Sequence, residues 1–219
     1  MRIKADLHVH TVFSRDAVIT RLDLLYYAAK RGLTAVAITD HNCVEGAFKF
    51  AGEKDLLIIP GIEISSLHGH IIGLNVRELI PKGKSAAETV ERIHEAGGLA
   101  VACHPYAGLK GSLRERVDEK FDAVETINSS AFPFKRSVGR AEEAARKFGL
   151  PRVAGTDAHY GPEIGYAFTL IEADSNADDV AEAISKGRCQ PFGEPLPLKL
   201  KLERTVKTFK KKLEGKKRN

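Results

Sequence analysis

The stretch Ile3-Lys4-Ala5-Asp6-Leu7-His8-Val9-His10 decides how the rest of the chain is read. Its apolar positions predict a strand, and the strand ends in two imidazoles two positions apart. Alternate residues of a strand share a face, so His8 and His10 are expected to point together, with Asp6 behind them. Two imidazoles at that spacing can grip one metal ion.

The same arrangement returns along the chain. A predicted strand over 33–39 ends in Thr39-Asp40-His41-Asn42, and one over 56–65 carries Gly61-Ile62-Glu63-Ile64. His68-Gly69-His70 opens a strand over 70–76, and the strand at 99–103 runs into His104-Pro105. The strand at 121–127 leads to Asn128, and the one at 152–154 runs into Gly155-Thr156-Asp157-Ala158-His159. A further strand is expected at 167–171. Helices are expected between them. One starts at Thr20, with Leu22, Leu25, Tyr26 and Ala29 as its apolar stripe and Gly32 as its stop. Others cover 44–53, 85–96 behind a Ser85 cap, 137–148 and 178–186.

Repeated strand–helix units predict an α/β fold with a mostly parallel sheet, closed as a barrel or open and doubly wound. No GxGxxG follows the first strand, so a dinucleotide-binding version has no support. In a barrel, chemistry sits where strands end and loops begin. Of eight histidines, seven fall at such ends, and only His94 lies within a predicted helix. Histidines mixed with carboxylates suit Mn²⁺, Zn²⁺ or Fe²⁺. There are more ligands than one four-coordinate ion takes, so two or three divalent ions are expected, with Glu63 or Asp157 able to bridge.

At 219 residues and 43% hydrophobic content the chain is long enough for one domain with a full core. No signal peptide and no apolar run of spanning length is apparent, so no membrane role is expected. Three cysteines without CxxC spacing fit a reducing cytoplasm rather than a disulfide framework. The net charge of +5 is uneven, with ten Lys/Arg against two acids over 199–219. A basic C-terminal helix or tail over 196–219 is therefore expected beside a domain over 1–195. It could draw nucleic acid or serve as a solvated helix.

These motifs resemble the PHP family, named for its polymerase and histidinol-phosphatase members. The resemblance runs from about residue 3 to 175. It rests on Asp6-Leu7-His8-Val9-His10-Thr11 continuing to Ser14, on Thr39-Asp40-His41-Asn42, on His104-Pro105 and on Gly155-Thr156-Asp157-Ala158-His159. Pro60-Gly61-Ile62-Glu63-Ile64-Ser65 and His70-Ile71-Ile72-Gly73-Leu74 also match. It implies a distorted (β/α)7 TIM-like barrel with a metal cluster. His8, His10, Glu63 and Asp157 would hold one ion, and Glu63, His70 and His104 a second. His41, His159 and Asp16 would hold a third. Asp6 and Asp40 would orient histidines, and His68 would line the pocket.

The implied reaction is hydrolysis of a phosphate ester by a metal-activated hydroxide, with Asp157, His104 and His159 closest to the chemistry. Lys135 and Arg136, on the loop that begins at Asn128, would bind substrate together with Asn128. The Gly61-to-Leu74 region is similar to a subgroup acting on nucleoside 3′,5′-bisphosphates and on RNA from the 5′ end. Only 53 positions separate His104 from Asp157, so that subgroup's helical insertion is absent. Two alternatives remain. One is a histidinol-phosphate-type phosphatase, whose members are usually longer. The other is a nonenzymatic RNA-binding protein resembling the barrel subunit of ribonuclease P, which the basic tail favours and the complete motifs oppose.

Overall fold

In a computed structural model, which describes residues 1–108 and 111–216, the strand that ends in His8 and His10 organises the sheet. β1 (Arg2–Val9) pairs parallel with β2 (Ala35–Ile38) and antiparallel with β8 (Ala167–Glu172). Around it run β3 (Leu57–Ser65), β4 (His70–Leu74), β5 (Leu99–Ala102), β6 (Ala123–Asn128), β7 (Arg152–Gly155) and β9 (Cys189–Gly193). The order is β7-β6-β5-β4-β3-β2-β1-β8-β9. The ends of the seven-strand run then meet. Val9 bridges Ala158 in parallel fashion, the His10 amide donates to the Ala158 carbonyl at 2.9 Å, and the Asp157 amide donates to the His8 carbonyl at 2.8 Å. This short contact closes β1 to β7 into a distorted barrel, with β8 and β9 as an antiparallel flap.

Two features depart from a mostly parallel sheet. β4 is antiparallel to both β3 and β5. Only residues 66–69 link β3 to β4, and a parallel return needs a crossover of about a dozen residues or more. β9 was not expected, because Pro191 interrupts its pattern. Paired only with β8 at the sheet edge, it tolerates a residue without an N–H.

The barrel interior is apolar below the site. Ile3, Ala5 and Leu7 of β1 pack with Ala37, Ile59, Ile72, Val101 and Val153, and with Val180 and Ile184 of α5 (Ala177–Ser185). The outer faces carry α1 (Arg21–Lys30), α2 (Glu45–Lys49), α3 (Ala86–Glu95) and α4 (Phe134–Phe148). α1 begins as expected, with a Thr20–Asp23 capping box. Its buried residues are Leu24 and Ala28, however, while Leu22 and Tyr26 of the expected stripe face water.

The basic terminus forms α6 (Leu198–Lys216), which docks on the barrel, while residues 217–219 of the expected tail lie outside the described residues. No helix among the described residues is long and apolar enough to cross a membrane.

Candidate metal centre

Strict alternation along β1 would put Asp6, His8 and His10 on one face. The register with β2 shifts between Asp6 and Val9, and such a bulge re-aims the side chains after it. Ile3, Ala5 and Leu7 therefore face the barrel interior, Val9 packs outward near α1, and His8 and His10 both turn inward above Leu7. Close approach of β1 and β7 makes this possible. A Cβ at Gly155 would collide with the His8 Cβ and lie 2.7 Å from Glu125 Oε1.

Glu63 reaches five imidazoles from the centre of the cluster. Its Oε1 is 2.8 Å from His70 Nδ1 and 2.9 Å from His104 Nε2. Its Oε2 is 2.9 Å from His41 Nδ1, 3.2 Å from His10 Nε2 and 3.5 Å from His8 Nε2. Asp157 Oδ1 lies 3.4 Å from His10 Nε2, 3.6 Å from His8 Nε2 and 3.5 Å from His159 Nδ1. At the rim, Asp16 Oδ2 is 3.6 Å from His41 Nε2 and 3.7 Å from His159 Nε2. His104 and Asp157 hold these places with φ of +32° and +58°, backbone that side chains other than glycine seldom adopt and that concentrates at functional sites.

The donor set fits divalent cations. Glu63 Oε2 is buried and lies 2.9 Å from an imidazole nitrogen, yet it accepts no hydrogen bond of good direction. The nitrogens surround a common space rather than aim at the oxygen. His8 Nε2 and His10 Nε2 face each other at 3.1 Å. Triads drawn from this cluster, including His8-His10-Glu63, His41-Glu63-His70 and His10-His41-His159, have ligand atoms within 4.8 Å of one another. Imidazole with carboxylate is the donor mixture that first-row divalent ions take.

The titration shifts of these groups follow from their burial and from one another's charge. Burial pushes Glu63 up, but the fields of His41 and His8, the nearby His10 ring and the bond with His104 hold it well below the usual carboxylate range. Asp157 is likewise held well below, its burial outweighed by His8, His10 and His159. Burial pulls His10 down, and the adjacent carboxylates of Asp157 and Glu63 outweigh it and raise the ring to about 9. Burial and the charge of His10 push His159 down to about 3.

The groups that aim the rings differ from those expected. Asp6 does not touch an imidazole. The bulge turns it away, and its oxygens accept the amides of His8, Thr156 and Gly165 at 3.3, 2.9 and 2.9 Å. Asp40 accepts the Thr11 amide at 2.6 Å and the hydroxyls of Thr11 and Ser14 at 2.7 and 3.0 Å, and meets His10 only through Ser14. The carboxylate that takes the far-side nitrogen of His8 is Glu125, whose Oε1 lies 3.0 Å from His8 Nδ1. A carboxylate in the middle of the expected buried strand at 121–127 was its signal, since an imidazole that binds a cation needs an acceptor for its second N–H.

A cavity of about 380 Å³ opens over the cluster and includes Asn128 in its wall. His68 points elsewhere, its Nδ1 accepting the Ala86 amide at 3.1 Å at the start of α3. Lys135 and Arg136 are exposed on α4 and do not line the cavity. Arg204, Thr205 and Thr208 of α6 line it instead. No local pattern could have placed them there, because Arg204 meets Ser130 across 74 positions of chain.

Histidines and carboxylates converging at the strand ends of a barrel make a site suited to divalent cations. Similarity to known proteins narrows the class. The PHP-associated family model matches residues 135–189. The Methanocaldococcus jannaschii protein MJ1587 is 41% identical over 58% of this chain and 82% of its own length. The 5′-3′ exoribonuclease of Haemophilus influenzae is 28% identical over 66% of this chain and 60% of its own. The 3′,5′-nucleoside bisphosphate phosphatase of Chromobacterium violaceum is 26% identical over 62% and 53%. In fold, a two-domain protein from Bacteroides vulgatus containing a predicted PHP-like metal-dependent phosphoesterase superposes with a TM-score of 0.69 at 18% identity. That match covers 89% of this chain and 65% of the other. The chain belongs to the PHP family.

Proposed function

We propose that the chain hydrolyses phosphate esters of nucleotides, 3′,5′-bisphosphate nucleotides or short oligonucleotides. The observation that carries the reading is Glu63, one buried carboxylate reaching five imidazoles with an oxygen left unpartnered. His8, His10, Glu63 and Asp157 would hold one divalent cation, Glu63, His70 and His104 a second, and Asp16, His41 and His159 a third. Cations held there supply a water activated near neutral pH and positive charge for the phosphoryl oxygens.

The protein's own groups prepare that arrangement. His8 Nδ1 donates to Glu125, which fixes its tautomer and leaves Nε2 free for a cation. His159 Nδ1 sits 3.0 Å from the Asp157 carbonyl and donates to it, so its Nε2 is likewise free. Bound to cations through those nitrogens, His104 and His159 would act as ligands rather than free bases. The nucleotide assignment is supported by the exoribonuclease and bisphosphate phosphatase relatives, and by a cavity at the small end of the ~300–1,000 Å³ that ligand pockets span.

The test is metal content and hydrolysis on protein purified without chelator. The substrates are p-nitrophenyl phosphate, adenosine 3′,5′-bisphosphate, histidinol phosphate and a short 5′-phosphorylated RNA. Two or three ions, turnover of a nucleotide and its loss in Asp157→Ala are expected. Preference for histidinol phosphate would reassign the substrate. Protein that stays inactive after Mn²⁺ or Zn²⁺ is added would sink the hydrolytic reading.

A further inference from the structure

α6 turns the wrong face outward for a helix held by packing. Leu202, Val206, Phe209 and Leu213 form a stripe at four-three-four spacing, and they are 61%, 55%, 60% and 47% exposed. Burial of apolar surface would direct that stripe to the barrel. Instead the helix presents Arg204, Thr205 and Thr208 to the cavity, opposite Glu63, His70, His104 and Asp157.

Polar anchors hold it in that pose at both ends. Lys201 Nζ donates to the Ser130 carbonyl at 3.3 Å, and Arg204 Nη1 donates to Ser130 Oγ at 3.0 Å. Further along, Lys211 Nζ donates to the carbonyls of Val12, Ser14 and Ala17 at 2.9, 2.7 and 2.7 Å. The first anchor is the loop after β6, and the second is the loop after β1 that carries Asp16. α6 thus spans the mouth of the cavity as a roof.

Arg204 is the one Lys or Arg among the described residues that line this cavity. Its guanidinium has five N–H donors. Ser130 takes one, and Glu163 Oε1 stands 3.5 Å from Nη1. The remaining fork has the geometry that grips two oxygens of a phosphate at once. We propose that Arg204 binds the phosphoryl oxygens of the substrate, and that Thr205 and Thr208 meet the group esterified to them. The ligand class is a phosphate monoester, such as the terminal phosphate of a nucleotide, held between the metal centre and α6. This rests on the phosphoesterase reading for the ester, but not for the anion.

The competing role for Arg204 is purely structural, as counter-charge to Glu163. Titration of inorganic phosphate into the full-length, Mn²⁺-loaded protein by calorimetry separates the two, alongside KM and kcat for p-nitrophenyl phosphate. Arg204→Gln should weaken phosphate binding and raise KM by about tenfold or more, with a smaller change in kcat. Arg204→Lys should recover part of the affinity, and metal content should match the wild type in both. Wild-type phosphate affinity in Arg204→Gln overturns the assignment, as does a wild-type protein that binds no phosphate. If Arg204→Gln does not fold, Arg204→Lys decides, because it keeps the charge facing Glu163 and loses the fork. Unchanged phosphate affinity there overturns the proposal. Phosphate binding that depends on Arg204, without hydrolysis of any ester, keeps the anion site and removes the hydrolytic reading.

Discussion

His8, His10 and Glu63 are sealed from water, whereas Asp16, His41 and His159 leave 41%, 23% and 13% of their side chains exposed. The inner group also has its far sides occupied. Glu125 sits on His8 Nδ1, and Ser14 is 3.4 Å from His10 Nδ1. The inner strands are the ones whose contact closes the barrel, so cations there are coupled to folding. The rim hangs on the segments that follow β1, β2 and β7, under α6, nearer to solvent than the inner group. The inner half should therefore hold ions tightly and set whether the site exists. The rim should tune it.

Glu63→Gln tests that division most severely. An amide supplies one acceptor oxygen and turns an NH₂ toward imidazoles that need a charge. Activity should vanish, and bound metal, measured by elemental analysis, should fall by more than one ion. Retention of all ions would dissolve the distinction between inner and rim positions. Glu125→Gln should come next. It loosens the acceptor that orients His8, and groups of this kind are worth roughly 10–100-fold in metal affinity or activity. Asp16→Asn should cost less, on the order of tenfold in activity, because a carboxylate that is two-fifths exposed is already partly solvated. Metal analysis should show one ion lost and the inner ions kept. Loss of every ion would mean that the rim holds the inner site together.

The clustering of histidines with Glu63 and Asp157 was legible in the sequence because nearly all of them fall at or beside strand ends next to apolar residues, so chemistry and topology marked the same positions. Legibility stopped where a contact depends on three-dimensional accidents of register. One bulge in β1 took Asp6 away from the histidines and left Glu125 to hold His8. The antiparallel β4 followed from a connection too short for a crossover, a length that was readable in residues 66–69. Arg204 was not readable at all. Its sequence context is an amphipathic basic helix, and periodicity alone would have buried the stripe that the structure exposes.

Acid–base behaviour separates the two halves by their sign. In the metal-free chain, burial lowers His8 and His10, but the carboxylates around them outweigh it. His8 is raised well above the ordinary value of 6.5, and His10 to about 9. A histidine raised in this way binds its proton more tightly when folded. The contribution of His10 is complete below pH 6.5 and is lost as pH climbs through 9. Glu63 and Asp157 are lowered, so their contributions are kept over that whole range and lost only in acid. His159, pushed down to about 3, is neutral throughout. The metal-free protein should therefore lose on the order of 2 kcal/mol between pH 6.5 and 9. For a domain of this length that is about 4–8 °C of melting temperature. Mn²⁺-loaded protein should show no such decline, because the cations take the place of the protons and bind better as pH rises. Melting curves at the two pH values, with and without Mn²⁺, measure the difference directly. Asp16→Asn should leave the metal-free decline intact, whereas Glu63→Gln should flatten it. A decline that disappears in Asp16→Asn would place the coupling at the rim and reverse the division between the two halves.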